Sequence, residues 1–132
     1  MIADAQRVLV VEDDVYIRES LAHLLREEGY TVYEAPDGRP ALERLHRSTE
    51  RMVVLLDLNM PGMDGRQLLE AVAAHDVLAT RHAFILVTAN ERTLPLVFAT
   101  LLAQLRVSVI AKPFDIDTVL AAVAQAAARL AS

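Results

Sequence analysis

Apolar residues along the chain fall into five short continuous runs, separated by longer segments in which they recur every three or four positions. Val8-Leu9-Val10-Val11, Thr31-Val32-Tyr33-Glu34-Ala35, Met52 to Leu56, Ala83 to Val87 and Val107 to Ala111 read as strands. After the first, Ile17, Leu21, Leu24 and Leu25 share one face of a helix that stops at Gly29. Ala41, Leu42 and Leu45 repeat the pattern behind Asp37-Gly38, with Pro40 tolerated in a first turn. Leu68, Leu69 and Val72 mark a third helix. Thr93 reads as the N-cap of a fourth over Leu94 to Leu105, and Asp115 caps a fifth whose Ile116, Val119, Leu120 and Val123 line one face. The pattern predicts a βα unit repeated five times.

Such alternation with short connections implies a parallel sheet, helices on both faces and right-handed crossovers. VLVV, MVVLL and AFILV are apolar throughout, as strands buried on both faces must be. TVYEA and VSVIA carry the polar interruptions of edge strands. Strands two and five therefore lie outside, which gives the order 2-1-3-4-5 of a flavodoxin-like, doubly wound α/β fold with five helices. A dinucleotide-binding variant is disfavoured, because no G-x-G-x-x-G follows the first strand.

Composition narrows the class. A chain of 132 residues with 54% hydrophobic residues supports one core, hence a single domain over 1–132 with its core at about 6–130. The net charge of −5 argues against a nucleic-acid partner, which would need clustered cations. The absence of cysteine excludes disulfides and thiolate metal sites. MIADAQR has no signal-peptide pattern, and the uncharged stretch Thr93 to Leu105 falls short of the ~20 apolar residues of a membrane span. A soluble cytoplasmic protein without a membrane partner is expected.

In an open parallel sheet, ligands bind at the carboxyl ends of the strands. The first strand runs into Glu12-Asp13-Asp14, the third into Asp57, the fourth into Thr88 and the fifth into Lys112-Pro113. Lys112 is the only lysine in the chain. Carboxylates crowded there raise one another's pKa unless a cation intervenes, and Mg²⁺ suits an oxygen-rich site shared with a phosphate. An ammonium beside Asp57 pairs first with the carboxylate and then with phosphoryl oxygens, so the set points to acyl-phosphate chemistry on Asp57. Blander readings exist for each residue. Asp57 can simply end a strand, and Thr88 and Lys112 can be structural. Asp14 is better read as a solvated helix start than as a ligand. His23, His46, His75 and His82 lack metal-ligand spacing and read as solvated.

The strings VLVVEDD (8–14), LLDLNMPGMDG (55–65), LVTA (86–89) and AKPF (111–114), with weaker support from APDGRPAL (35–42), resemble the receiver domain of two-component response regulators. They span nearly the whole chain in that family's order. The resemblance implies Asp57 as phosphoacceptor, Asp13 as direct Mg²⁺ ligand, Glu12 holding the ion through water and the Asn59 carbonyl as a further ligand. It also implies Thr88 as switch hydroxyl, Lys112 as phosphate contact and a cis Lys112–Pro113 bond. Two departures stand out: Val109 occupies the position of a usual Tyr or Phe, and Leu105-Arg106 replaces a frequent Gly-Ala.

The implied function is a signalling phosphoacceptor rather than an enzyme. It would be a single-domain response regulator receiving its phosphoryl group from a sensor histidine kinase or histidine phosphotransfer protein. Because the sequence stops at Ser132, output is expected through protein contacts with a downstream target, unless the chain is a receiver excised from a longer protein. Two rivals remain. One is a degenerate receiver serving as a constitutive interaction module. The other is a small Mg²⁺-dependent phosphohydrolase, disfavoured because Asn59 stands where such enzymes place a second Asp. Ile17 and Pro113-Phe114 are expected to dock the phosphodonor. Leu96, Val97, Phe98, Leu101 and Leu102 cannot all face the sheet, so the face formed by helix four, strand five and helix five is the candidate for a homodimer or target contact.

Overall fold

In the computed structural model, which describes residues 5–89 and 94–131, the five apolar runs become β1 (Arg7–Val11), β2 (Thr31–Ala35), β3 (Met52–Asp57), β4 (Ala83–Thr88) and β5 (Ser108–Ala111). They form one parallel sheet in the order β2-β1-β3-β4-β5. Alternate side chains leave opposite faces, which explains why β1, β3 and β4 need apolar residues at every position. Leu9, Val11, Val54, Leu56, Phe84 and Leu86 join the core on one face, and Val8, Val10, Val53, Leu55, Ile85 and Val87 join the other. The edge strands β2 and β5 are the two with polar interruptions, as their sequences predict.

The helices are α1 (Val15–Glu27), α2 (Gly38–Arg47), α3 (Gly65–Ala73), α4 (Asp76–Arg81), α5 (Leu96–Gln104) and α6 (Ile116–Ala131). Among the described residues six are present, where five are expected. The additional one, α4, has six residues and buries only Leu78, so it is too short to show a helical repeat in the sequence. Asp115 accepts from the Thr118 N–H at 2.8 Å at the start of α6, as a capping residue should. The expected cap at Thr93 lies outside the described residues, and α5 begins at Leu96 behind Pro95. On α5, Phe98 and Leu102 are buried whereas Leu96 and Val97 are 82% and 75% exposed, so the uncharged helix does turn apolar groups outward. Among the described residues, no helix is long and apolar enough to cross a membrane.

Two helices end in the same hydrogen-bonded motif with different residues at its left-handed position. After α1, Gly29 takes φ +97°, with Gly29 N–H bonded to the Arg26 carbonyl and Tyr30 N–H to Leu25. After α5, Arg106 takes φ +56°, with Arg106 N–H bonded to Ala103 and Val107 N–H to Leu102. For a residue with a Cβ, that conformation costs about 1 kcal/mol, which glycine would avoid.

One of the four histidines is not solvated. His82, immediately before β4, is 4% exposed, and its Nδ1 accepts from the Met52 N–H at 3.0 Å. Its Nε2 is buried without a hydrogen bond of good geometry. Burial, then the charge of Arg81, lowers its pKa from 6.5 to about 4. The unfolded chain therefore binds a proton that the folded chain refuses. Stability contributed by neutral His82 is complete above pH 6.5 and falls as pH drops toward 4, by about 3 kcal/mol in all. Urea unfolding at pH 7 and pH 4.5 is expected to show this loss in the parent and a smaller one in His82→Asn, whose Oδ1 can replace Nδ1. Equal losses would mean that His82 does not titrate across folding.

Candidate functional site

Because all five strands point the same way, their carboxyl ends open on a single edge, and the order of the sheet sets the neighbours there. Val11 pairs with Leu56, which brings Glu12 beside Asp57 at the ends of β1 and β3. Thr88 pairs with Ala111, which brings Lys112 to the same edge. Carboxylate oxygens of Glu12, Asp13 and Asp57 lie within 4.8 Å of one another. Lys112 Nζ donates to Asp57 Oδ2 at 3.1 Å, and the Lys112–Pro113 peptide is cis. Glu12, Asp57 and Thr88 are buried, at 5%, 8% and 0% exposure, whereas Asp13 is exposed.

Local structure fixes each group. Lys112 N–H bonds the Thr88 carbonyl at 2.9 Å, and Leu58 N–H bonds the Val87 carbonyl at 3.0 Å, so the loops leaving β3 and β5 are tied to β4. Asn59 lies in the loop after Asp57 and contacts it through its N–H, 3.4 Å from Asp57 Oδ1. Asp14 does not join the cluster; its Oδ1 accepts from the Tyr16 and Ile17 N–H groups at 2.9 and 3.1 Å as the N-cap of α1.

Two supporting residues are not apparent from the sequence pattern. Arg18 donates to the Glu12 carbonyl at 2.8 Å and pairs with Glu34 at 3.4 Å, which anchors the acidic turn to the edge strand. At Gly65, a Cβ would sit 2.6 Å from the Asp57 carbonyl oxygen and 2.9 Å from Leu58 Cα, so the start of α3 can close on the end of β3 only with glycine. The string MDGR carries that signal, as a cap followed by glycine. Arg18 has none, since its partners lie on other turns of the chain.

A family model described as "Response regulator receiver domain" matches residues 8–124. The chain belongs to this receiver family. It is 35% identical over 127 residues to the transcriptional regulatory protein PdtaR of Mycobacterium tuberculosis, an alignment that covers 94% of this chain and 58% of that protein. The chain thus spans little more than half the length of that relative. Among solved structures, the chemotaxis protein CheY4 of Vibrio cholerae is 26% identical with a TM-score of 0.77, covering 93% of this chain and 99% of that one. The signal receiver domain of a putative Luxo repressor protein from Vibrio parahaemolyticus is 26% identical with a TM-score of 0.80, covering 96% and 93%.

Receiver domains bind Mg²⁺ at an acidic pocket, and the donor set here fits a hard divalent ion: three carboxylates from the ends of two adjacent strands, with oxygen donors only. Electrostatics point the same way. Burial and the neighbouring Asp57 carboxylate push Glu12 from 4.5 up to about 8, with Lys112 pulling in the opposite direction and Asp13 adding to the rise. Left to themselves, the carboxylates of this receiver domain hold a proton near neutrality, a neutralising role that a divalent cation would take over. The aromatic position of the family is filled by Val109, half-buried on β5 and packed against the core.

Proposed function

We propose that this receiver domain accepts a phosphoryl group on Asp57 from a phosphohistidine donor in two-component signalling. The observation that carries the reading is the 3.1 Å contact of the sole lysine with a buried aspartate that also faces two further carboxylates. An Asp57 carboxylate oxygen attacks phosphorus, the P–N bond to the imidazole breaks, and the donor histidine leaves with the electron pair. Lys112 then turns from the carboxylate to a phosphoryl oxygen, and the Thr88 hydroxyl serves a second one. Asp13 and Asp57 would hold Mg²⁺ directly, Glu12 through water, and Asn59 through its carbonyl. The ion supplies neutralisation of the charge developing on the transferred group.

The donor's approach is supported by a groove of about 370 Å³ beside the site, lined by Tyr16, Ile17, Leu24 and Phe114 among others. Tyr16 and Ile17 are 79% and 40% exposed, an apolar patch suited to a helical donor. Output is assigned to the α5–β5–α6 face, where Leu96 and Val97 stand exposed, through a protein target or a second copy of the chain. Substituting Val for an aromatic at position 109 removes a side chain able to swing, because β-branching restricts χ1.

Intact-mass measurement after exposure to acetyl phosphate with Mg²⁺ tests the proposal. A gain of one phosphoryl group supports it; no gain reduces the domain to an interaction module, and multiple turnover of phosphate esters would make it a hydrolase. Within the site, Asp13→Asn is expected to weaken Mg²⁺ binding about tenfold, because it removes a charged ligand, whereas Asp14→Asn changes it less than about twofold. Calorimetric titration of Mg²⁺ compares the two, and equal losses would refute the assignment of Asp13.

A further inference from the structure

The peptide between Glu12 and Asp13 joins two of the three carboxylate residues of the site, and both of its polar atoms are held. Its carbonyl oxygen accepts from Arg18 Nη1 at 2.8 Å, and its N–H donates to Glu12 Oε2 at 3.1 Å. Neither the sheet nor the helix accounts for the first of these bonds. β1 ends at Val11, and the Arg18 N–H turns to the Asp14 carbonyl at 2.9 Å as α1 begins. The Glu12 carbonyl falls in the gap between them, and a side chain from the start of the helix reaches back to it.

Arg18 is itself pinned. Its Nε lies 3.4 Å from Glu34 Oε1 on β2, so two different nitrogens of one planar group serve two partners. Only 17% of the Arg18 side chain and 28% of that of Glu34 are exposed, unlike the loose surface pairs that contribute little. The other Glu34 oxygen is held by Arg26, whose Nη2 lies 3.4 Å from it and donates to the Val32 carbonyl at 2.8 Å. The main chain closes the frame, since the Glu12 N–H donates to the Ala35 carbonyl at 3.0 Å. The edge strand β2 therefore grips the acidic turn at two points, one of them through Arg18.

We infer that Arg18, backed by Glu34, is a positioning residue for Mg²⁺: it fixes the plane of the Glu12–Asp13 peptide, and with it the directions in which both carboxylates leave the backbone. The inference rests on the reading of this site as one for Mg²⁺. Arg18 would act through the peptide without touching the ion. Charge alone predicts the opposite effect, because a cation beside the site repels a divalent ion and its removal should tighten binding. Positioning predicts that removal weakens binding, since the turn must then be ordered at the expense of the ion's affinity. The sign of the change decides between the two roles.

Calorimetric titration of Mg²⁺ at one fixed pH, together with amide hydrogen exchange of the metal-free chain in EDTA, makes the test. Arg18→Met keeps the apolar stem and is expected to bind Mg²⁺ about tenfold more weakly, as loss of a supporting contact does. In the same variant the Asp13 N–H should exchange faster without metal. Arg18→Lys keeps the charge but offers one nitrogen in place of a fork, and should lose about threefold. Glu34→Gln should weaken binding in the parent but add nothing in Arg18→Met, because the two act through one contact. Arg26→Ala takes a cation from the same network without a bond to the turn, and should leave the affinity within about twofold. Equal or tighter binding by Arg18→Met, unchanged exchange at Asp13, or additive losses in the double variant would overturn the inference. If Arg18→Met fails to fold, Arg18→Lys decides, and an affinity equal to the parent's overturns it. A parent that binds no Mg²⁺ would instead refute the reading of the site, and exchange at Asp13 would still show whether Arg18 holds the turn.

Discussion

Asp57→Asn is expected to abolish the phosphoryl gain completely while leaving the chain folded. The amide is nearly isosteric, and its oxygen can still accept from the Asn59 N–H that lies 3.4 Å from Asp57 Oδ1. What is lost is the nucleophile: a neutral amide oxygen does not form an acyl phosphate. The electrostatic consequence runs opposite to an ordinary loss of an ion pair. Lys112 gives up its 3.1 Å partner, but Glu12 is released from a neighbour that raises its pKa. In the absence of metal, the variant should therefore be no less stable than the parent, because repulsion within the buried carboxylate cluster is relieved. Intact mass and urea unfolding on the same preparation read both effects. A phosphoryl group still gained by the variant would place the acceptor elsewhere; a variant that fails to fold would show that the Asp57–Lys112 pair is structural first.

The central strands are legible in the sequence because burial on both faces leaves an unambiguous apolar run, and the residues at the carboxyl end of each run locate the site. Glu12, Asp57, Thr88 and Lys112 need only the assumption that parallel strands end on one edge, and the structure brings all four to it. The misses share a physical cause, namely dependence on contacts distant in sequence. His82 looks like a loop residue beside Arg81, and the Met52 N–H, 30 residues away, helps to make its burial tolerable. Helix α4 depends on the single buried Leu78 rather than on a periodic face. Arg18 reads as an ordinary cation on an amphipathic helix, and its bond to the Glu12 carbonyl becomes visible only when α1 folds back along β1. Arg106 shows the converse. The sequence marks it as a departure from a frequent Gly-Ala, but its cost comes from the left-handed backbone at the end of α5.

Mg²⁺ affinity is expected to rise about fiftyfold between pH 6 and pH 8, because a carboxyl with a pKa of about 8 must release its proton before it can serve the ion. The sign comes from the direction of the Glu12 shift. Burial and Asp57 raise its pKa above the unfolded value of 4.5, so the folded chain binds the extra proton between pH 4.5 and pH 8. Without metal, the stability contributed by protonated Glu12 is complete at the acid end of that window and is lost as pH climbs through 8. Bound Mg²⁺ would reverse the trend, since it would favour the ionised carboxyl and release the proton to solvent. Titration calorimetry in two buffers of different ionisation enthalpy separates proton release from ion binding, and release should approach one proton per Mg²⁺ at pH 6 and fall toward one half at pH 8. Glu12→Gln, which retains the shape but carries no titratable proton, should flatten the profile. An affinity that does not change with pH in the parent would mean that Asp13 and Asp57 bind the ion without Glu12, and a steep profile that persists in Glu12→Gln would move the titrating group to another member of the cluster.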